Sequence, residues 1–279
     1  MIKRVLLGIG GTPFTNVAIQ RAVELCRIHA AQLTAVTVVD QQRLSRVGPV
    51  PAGAGATAVE LREHRAAVTR EKIEEAVELL KASCDESNVQ VIVQREQGKP
   101  FELMVDYARY HDLSVFGLRS MFEHDVIGSS GVKPADVLSR MVLGGVRPIV
   151  AVSERFRTIR RVLVAYGGSV RAAETMKQFI RLNPWPEVNV RLLACGGDTP
   201  DADRLLSDAS IYCRQHGVEP ELKHRSGSPG KEILAEAAEW DADLIVLGIS
   251  RGTAFSRAVF GTTALHVLKN ADRPLFFGR

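Results

Sequence analysis

The chain has 279 residues, 46% of them hydrophobic, only 6% aromatic and 24% charged, with a net charge of +4. That size suits two domains of about 140 residues each and the composition excludes intrinsic disorder, while four scattered cysteines without a Cys-x-x-Cys pair exclude a disulfide framework or a zinc site. Of the 36 basic and 32 acidic residues, 18 of each fall in 1–154, leaving 18 and 14 in 155–279, and no Lys/Arg cluster interleaves with aromatics, so no nucleic-acid partner is expected.

The first apolar run, Val5 to Ile9 after Lys3-Arg4, superficially looks like a leader segment. Gly10, Gly11 and Pro13 end it after the length of a strand, and no other stretch approaches a membrane span, so a cytoplasmic protein is expected. Strands are predicted near 3–9, 33–39, 89–94, 113–117 and 148–152, with helical periodicity over 16–30, 58–87, 100–111 and 134–143. Between the second strand and the long charged helix lies a Pro/Gly/Ala-rich stretch from Val47 to Ala58. It reads as an inserted solvent-facing arm, with a lid or an oligomer contact as the alternative.

Farther along, strands are predicted near 160–166, 188–195, 219–225, 243–248 and 274–277. Trp185 between Pro184 and Pro186 reads as a rigid turn after a helix ending near Leu182. Gly227-Ser228-Pro229-Gly230-Lys231 lacks the Lys-Ser/Thr pair of a Walker loop and reads as a turn and helix start.

The two series are one series written twice. Arg4 to Thr12 matches Arg161 to Ser169, each a short strand running into Gly-Gly-hydroxyl. Gly98-Lys99-Pro100 matches Gly227-Ser228-Pro229, Asp112 to Gly117 matches Asp243 to Gly248, and Arg147-Pro148 matches Arg273-Pro274. Four matches in one order divide the chain into units 1–154 and 155–279. Continuous apolar strands alternating with helices imply an α/β fold, two tandem open parallel five-stranded sheets flanked by helices. Ligands bind such sheets at the carboxyl ends of the strands, where the strand order switches.

Asp243 to Thr263 carries the chemistry. Leu244 to Leu247 is a strand, Gly248 ends it, and Arg251-Gly252 and Gly261-Thr262-Thr263 lead into a helix. Glycines let the backbone approach an anion, free N–H groups at the helix start point at it, and threonine hydroxyls add donors. An ordinary N-capped connection fits the same spacing.

At these residues the chain resembles the universal stress protein family in its tandem form, over nearly its whole length. The motifs that carry the resemblance are Asp241 to Gly248, the Gly-to-Gly-Thr loop that follows, Gly227-Ser228-Pro229 and Arg273-Pro274-Leu275. The resemblance implies a fold like the adenine nucleotide α-hydrolases and a non-catalytic adenine nucleotide, ATP with Mg²⁺, in the second unit. It implies contacts from Ala165, Tyr166, Gly167, Gly168, Ser169, Cys195, Leu247, Gly248, Arg251, Gly252, Gly261, Thr262 and Thr263. ATP-binding members carry Gly, two residues, Gly, nine residues, then Gly with Ser or Thr. Here Gly248 and Gly261 keep the outer spacing, but Arg251 stands at the middle glycine and Gly252 follows it. Those members also end the first strand with an Asp that contacts the nucleoside, where this chain has Gly10 and Gly167. Losing that contact lowers affinity by about 1.5–3 kcal/mol. In the first unit the loop places Ala135-Asp136, or Gly131-Val132-Lys133, against the phosphates, so no nucleotide is expected there.

No catalytic residue or metal ligand set is legible: no general base, carboxylate pair or Walker lysine adjoins the loop. Three readings follow: a nucleotide-binding stress-response protein, a tandem stress protein working through protein contacts or another small ligand, and a weak ATPase. The family's dimers imply that the closing strands near Pro148 and Pro274 pair within the chain as a pseudo-dimer, with a homodimer of chains beyond that.

Overall fold

The computed structural model describes residues 1–10, 14–39, 55–117, 146, 148–249 and 262–278. In the first half these form β1 (Arg4–Ile9), α1 (Thr15–His29), β2 (Gln32–Val39), α2 (Gly55–Glu86), β3 (Val91–Gln97), α3 (Pro100–Ala108), β4 (Leu113–Gly117) and β5 (Ile149–Val152). The second half gives β6 (Arg161–Ala165), α4 (Val170–Leu182), β7 (Asn189–Cys195), α5 (Thr199–Gln215), β8 (Glu221–Arg225), α6 (Pro229–Glu239), β9 (Leu244–Leu247), α7 (Thr262–Asn270) and β10 (Leu275–Phe277). The expected helix over 134–143 lies outside the described residues.

All ten strands share one sheet in the order β3-β2-β1-β4-β5-β10-β9-β6-β7-β8. Each half is parallel and repeats one strand order, and the halves meet where β10 runs antiparallel to β5, with Phe276 opposite Val150. The two expected five-stranded sheets are therefore continuous. Because the junction is antiparallel, the carboxyl ends of the two halves face opposite ends of the sheet.

Strand residues alternate between two cores. On one face Val5, Leu7, Val162 and Val164 pack under α1, α2, α4 and α5; on the other Leu6, Leu163 and Ile245 pack under α3, α6 and α7. Apolar groups on both faces of the inner strands explain their unbroken hydrophobic runs.

The repeated Asp explains itself at the strand starts. Asp112 Oδ2 accepts from the backbone N–H of Lys3 at 2.8 Å and Arg4 at 2.9 Å. Asp243 Oδ2 accepts from Arg160 and Arg161, both at 2.9 Å. Each carboxylate thus ties the opening of one parallel strand to its neighbour by two charge-assisted bonds.

Between the halves sits a clasp. Arg21 of α1 is 1% exposed, donates to Glu24 and to the Arg157 carbonyl, and lies 4.5 Å from the Phe156 ring centre and 5.4 Å from that of Trp185. Trp185 Nε1 donates to Glu24 at 3.1 Å, and His29 Nε2 meets the Pro184 carbonyl at 2.9 Å. The turn read as rigid is therefore also a contact between halves, and α4 does end at Leu182.

Candidate functional site

The switch point of the second half lies between β6 and β9, where Ala165 pairs with Leu247. From β6 the chain passes to α4 on one face; α7, which follows β9, packs on the other. Both helices run back toward the amino ends of the strands, so both N-termini open at the carboxyl edge of the sheet. Val170 and Thr262 are their first residues.

Ser169 caps α4: its hydroxyl accepts from Ala172 N at 3.1 Å. That leaves the N–H groups of Val170 and Arg171 at the helix tip, the arrangement that favours an anion. Gly168, at φ +70°, turns the chain into this cap, and a methyl there would lie 2.8 Å from Leu205 Cδ1 of α5. Gly167 is exposed, with nothing within 4 Å of where a Cβ would stand.

Gly248 does the opposite. A methyl on it would come within 2.9 Å of Ala172 N, Ala172 Cα and the Arg171 carbonyl, all backbone atoms of the first turn of α4. Gly278, after β10, is as tight, 2.8 Å from Thr175 Cα. The two glycines seat α4 directly on the ends of β9 and β10. Gly278 and Leu205 carried no sequence signal, because their partners lie far along the chain.

Cys195 ends β7 and is half-buried. Burial first, then Glu232, pushes its thiol up to about 11, against the opposing pull of Arg225. A thiol raised in this way stays protonated at neutral pH. Tyr166 continues the strand, its N–H donating to the Leu193 carbonyl at 2.8 Å, and burial raises its phenol as well. Thus Ala165, Tyr166, Gly167, Gly168, Ser169, Cys195, Leu247 and Gly248 converge at the carboxyl ends of β6, β7 and β9, with Thr262 and Thr263 opening α7 beside them. Arg251, Gly252 and Gly261 lie outside the described residues, as do Gly131 to Asp136 of the first half. Among the described residues no group of His, Cys, Asp and Glu is arranged for a metal ion.

The first half differs at the same place. Thr15, the repeat counterpart of Ala172, is the first residue of α1, and buried Phe14 precedes it without any side-chain cap bond. A model of the universal stress protein family matches residues 1–116 and 196–277. The chain belongs to that family.

Among solved structures, a universal stress protein from Archaeoglobus fulgidus matches 99% of this chain and 96% of its own at 18% identity and a TM-score of 0.68. A functionally unknown protein from Pseudomonas aeruginosa PAO1 matches 99% of this chain and 92% of its own at 13% identity and a TM-score of 0.61. Both show a shared fold. The universal stress protein from Archaeoglobus fulgidus in complex with dAMP matches 44% of this chain and 98% of its own at 25% identity, with a TM-score of 0.35, too slight a likeness to bear on the ligand. No curated protein matches the sequence. Within this universal stress protein, the second half has the capped helix tip, the seated glycine and the threonine helix start, while the strand-end position of the nucleoside-contacting Asp is Gly167.

Proposed function

We propose that the second half, residues 155–279, holds ATP or a related adenine nucleotide as a non-catalytic ligand of a stress-response protein. The observation that carries this reading is the pair of helix N-termini, α4 and α7, opening from opposite faces of the sheet onto one switch point. The α4 tip offers two N–H groups that its Ser169 cap leaves free, and Thr262 and Thr263 add hydroxyls at the other. Gly248 fixes the first of these tips against the sheet. Mg²⁺ would accompany the phosphates, without a protein carboxylate cage.

The first half, residues 1–154, serves as the structural mate, an internal pseudo-dimer partner joined through β5 and β10. A second reading, a tandem stress protein without nucleotide, is favoured by one observation: Gly167 supplies no carboxylate to a nucleoside. No described helix is long and apolar enough to cross a membrane.

Thermal melting with and without ATP tests the choice. ATP at millimolar concentration is expected to raise the melting temperature, and Thr262→Val to reduce that rise while leaving the ligand-free melt within about 0.5 kcal/mol of the parent. No rise in the parent protein would overturn the nucleotide reading and leave the second.

A further inference from the structure

The carboxyl rim of the second half is lined by glycine: Gly167 after β6, Gly196 and Gly197 after β7, Gly227 after β8, Gly248 after β9 and Gly278 after β10. Toward β9 and β10 this rim is covered, because α4 lies directly against Gly248 and Gly278. Toward β7 and β8 it is bare. Gly167 and Gly197 are exposed, with nothing within 4 Å of where a Cβ would stand. A phosphate held at the α4 tip therefore leaves its nucleoside a bare course over β6 and β7 toward β8, two strand spacings of about 4.8 Å away.

At the end of that course stands a carboxylate. Gly227, at φ +132°, leaves room for Glu232, whose Oε1 lies 2.7 Å from where a Cβ on the glycine would be. Glu232 Oε2 accepts from Arg225 Nε at 2.8 Å, and Arg225 also donates to Glu236 at 2.9 Å and to Glu239 at 2.7 Å. Gly196 adjoins Gly227, its N–H donating to the Arg225 carbonyl at 3.0 Å and its carbonyl meeting His224 Nε2 at 3.1 Å. One oxygen of Glu232 is thus fixed. The other has no hydrogen-bond partner among the described residues, and the side chain is 22% exposed.

The first half is built differently at the same seat. The matching glycine, Gly98, has Leu103 Cδ1 3.7 Å from its Cβ position, Glu96 stands in place of Arg225, and Tyr107, in place of Glu236, donates to Glu96 at 2.5 Å. A leucine therefore suffices to pack this helix start, and the fold does not require the carboxylate.

We infer that Glu232 selects the base: its free oxygen accepts a hydrogen bond from the 6-amino group of a purine laid along the rim. This rests on the nucleotide reading of the second half and gives that site a preference for a 6-aminopurine over a 6-oxopurine. A carboxylate offers only acceptor lone pairs, so an amino group satisfies it and an oxo group, itself an acceptor, is repelled. Arg225 holds the carboxylate in place beforehand, so little freedom is lost on binding.

Calorimetric titration of the full chain with ATP, inosine triphosphate and tripolyphosphate tests this. Inosine triphosphate carries a 6-oxo group where ATP has the amino group. The parent is expected to bind ATP about ten- to a hundredfold more tightly than inosine triphosphate, the worth of one hydrogen bond to a charged group. Glu232→Leu, which puts the first half's residue at this seat, should make the two affinities nearly equal and leave tripolyphosphate binding no weaker. Glu239→Gln removes another partner of Arg225, 65% exposed at the far end of α6, and should keep the parent's ratio. The ratio cancels any general effect of charge on phosphate binding and so isolates the base. A parent that binds both nucleotides alike would overturn the inference while leaving the nucleotide site. So would a Glu232→Leu protein that keeps the preference or loses tripolyphosphate as much as ATP, or a Glu239→Gln protein that loses the preference. A parent that binds neither nucleotide would overturn both readings.

Discussion

Two glycines of the second half stand at opposite extremes of available space. Gly167 has open room around its missing side chain, whereas Gly248 lies against the backbone of α4. Adding a carboxylate at the first, Gly167→Asp, is expected to leave stability nearly unchanged and to tighten ATP about tenfold or more, the worth of one charged hydrogen bond. Gly248→Ala should instead cost about 1–3 kcal/mol and weaken ATP, because α4 must shift with its N–H groups. Denaturant unfolding and calorimetric titration of the two variants check both halves of this contrast. Gly248 was legible as a strand-ending glycine; that its neighbour is the first turn of α4 was not, since the contact joins positions far apart in sequence. The same limit hid Arg21. A charged residue on an amphipathic helix reads as solvated, and only the folded chain brings Glu24, Phe156, Trp185 and the Arg157 carbonyl around it.

Among the elements, the strands were the most legible. Each observed strand begins within about two residues of its expected start, and β3 alone runs well past its expected end, to Gln97 rather than 94. Edge strands read less cleanly because β3 and β8 carry charged residues that bury little and resist pairing with another sheet. The helix α2 starts at Gly55, before the expected 58, while residues 40–54 of the arm lie outside the description. At the end of α3, His111 Nδ1 donates to the Tyr107 carbonyl at 2.6 Å and buried Nε2 has no partner among the described residues. Burial lowers its pKa from the ordinary 6.5, Arg4 adds to the lowering, and the Tyr107 carbonyl and Asp112 oppose it. The unfolded chain therefore takes up a proton near 6.5 that the folded chain resists, so stability present above that pH is lost as pH falls below it. Between about pH 7.5 and about pH 5.5, His111→Gln should lose less melting temperature than the parent. An equal loss in both would mean that His111 does not titrate against folding.

At the scale of the molecule, duplication has given one sheet two unequal ends. The repeat and its order were readable because four short motifs recur, and the pairing of the closing strands joins the halves into a continuous core. The two helix starts differ locally: the Ser169 hydroxyl caps α4, whereas buried Phe14 precedes α1 without a side-chain cap bond. The antiparallel junction places those helix starts at opposite ends of the sheet, so the nucleotide proposed for the second half would lie apart from the first-half helix start. Calorimetric titration of the parent protein with ATP in the presence of Mg²⁺ therefore tests the account most directly. It predicts saturation at one nucleotide per chain; two equivalent sites per chain, or no binding at millimolar ATP, would contradict it.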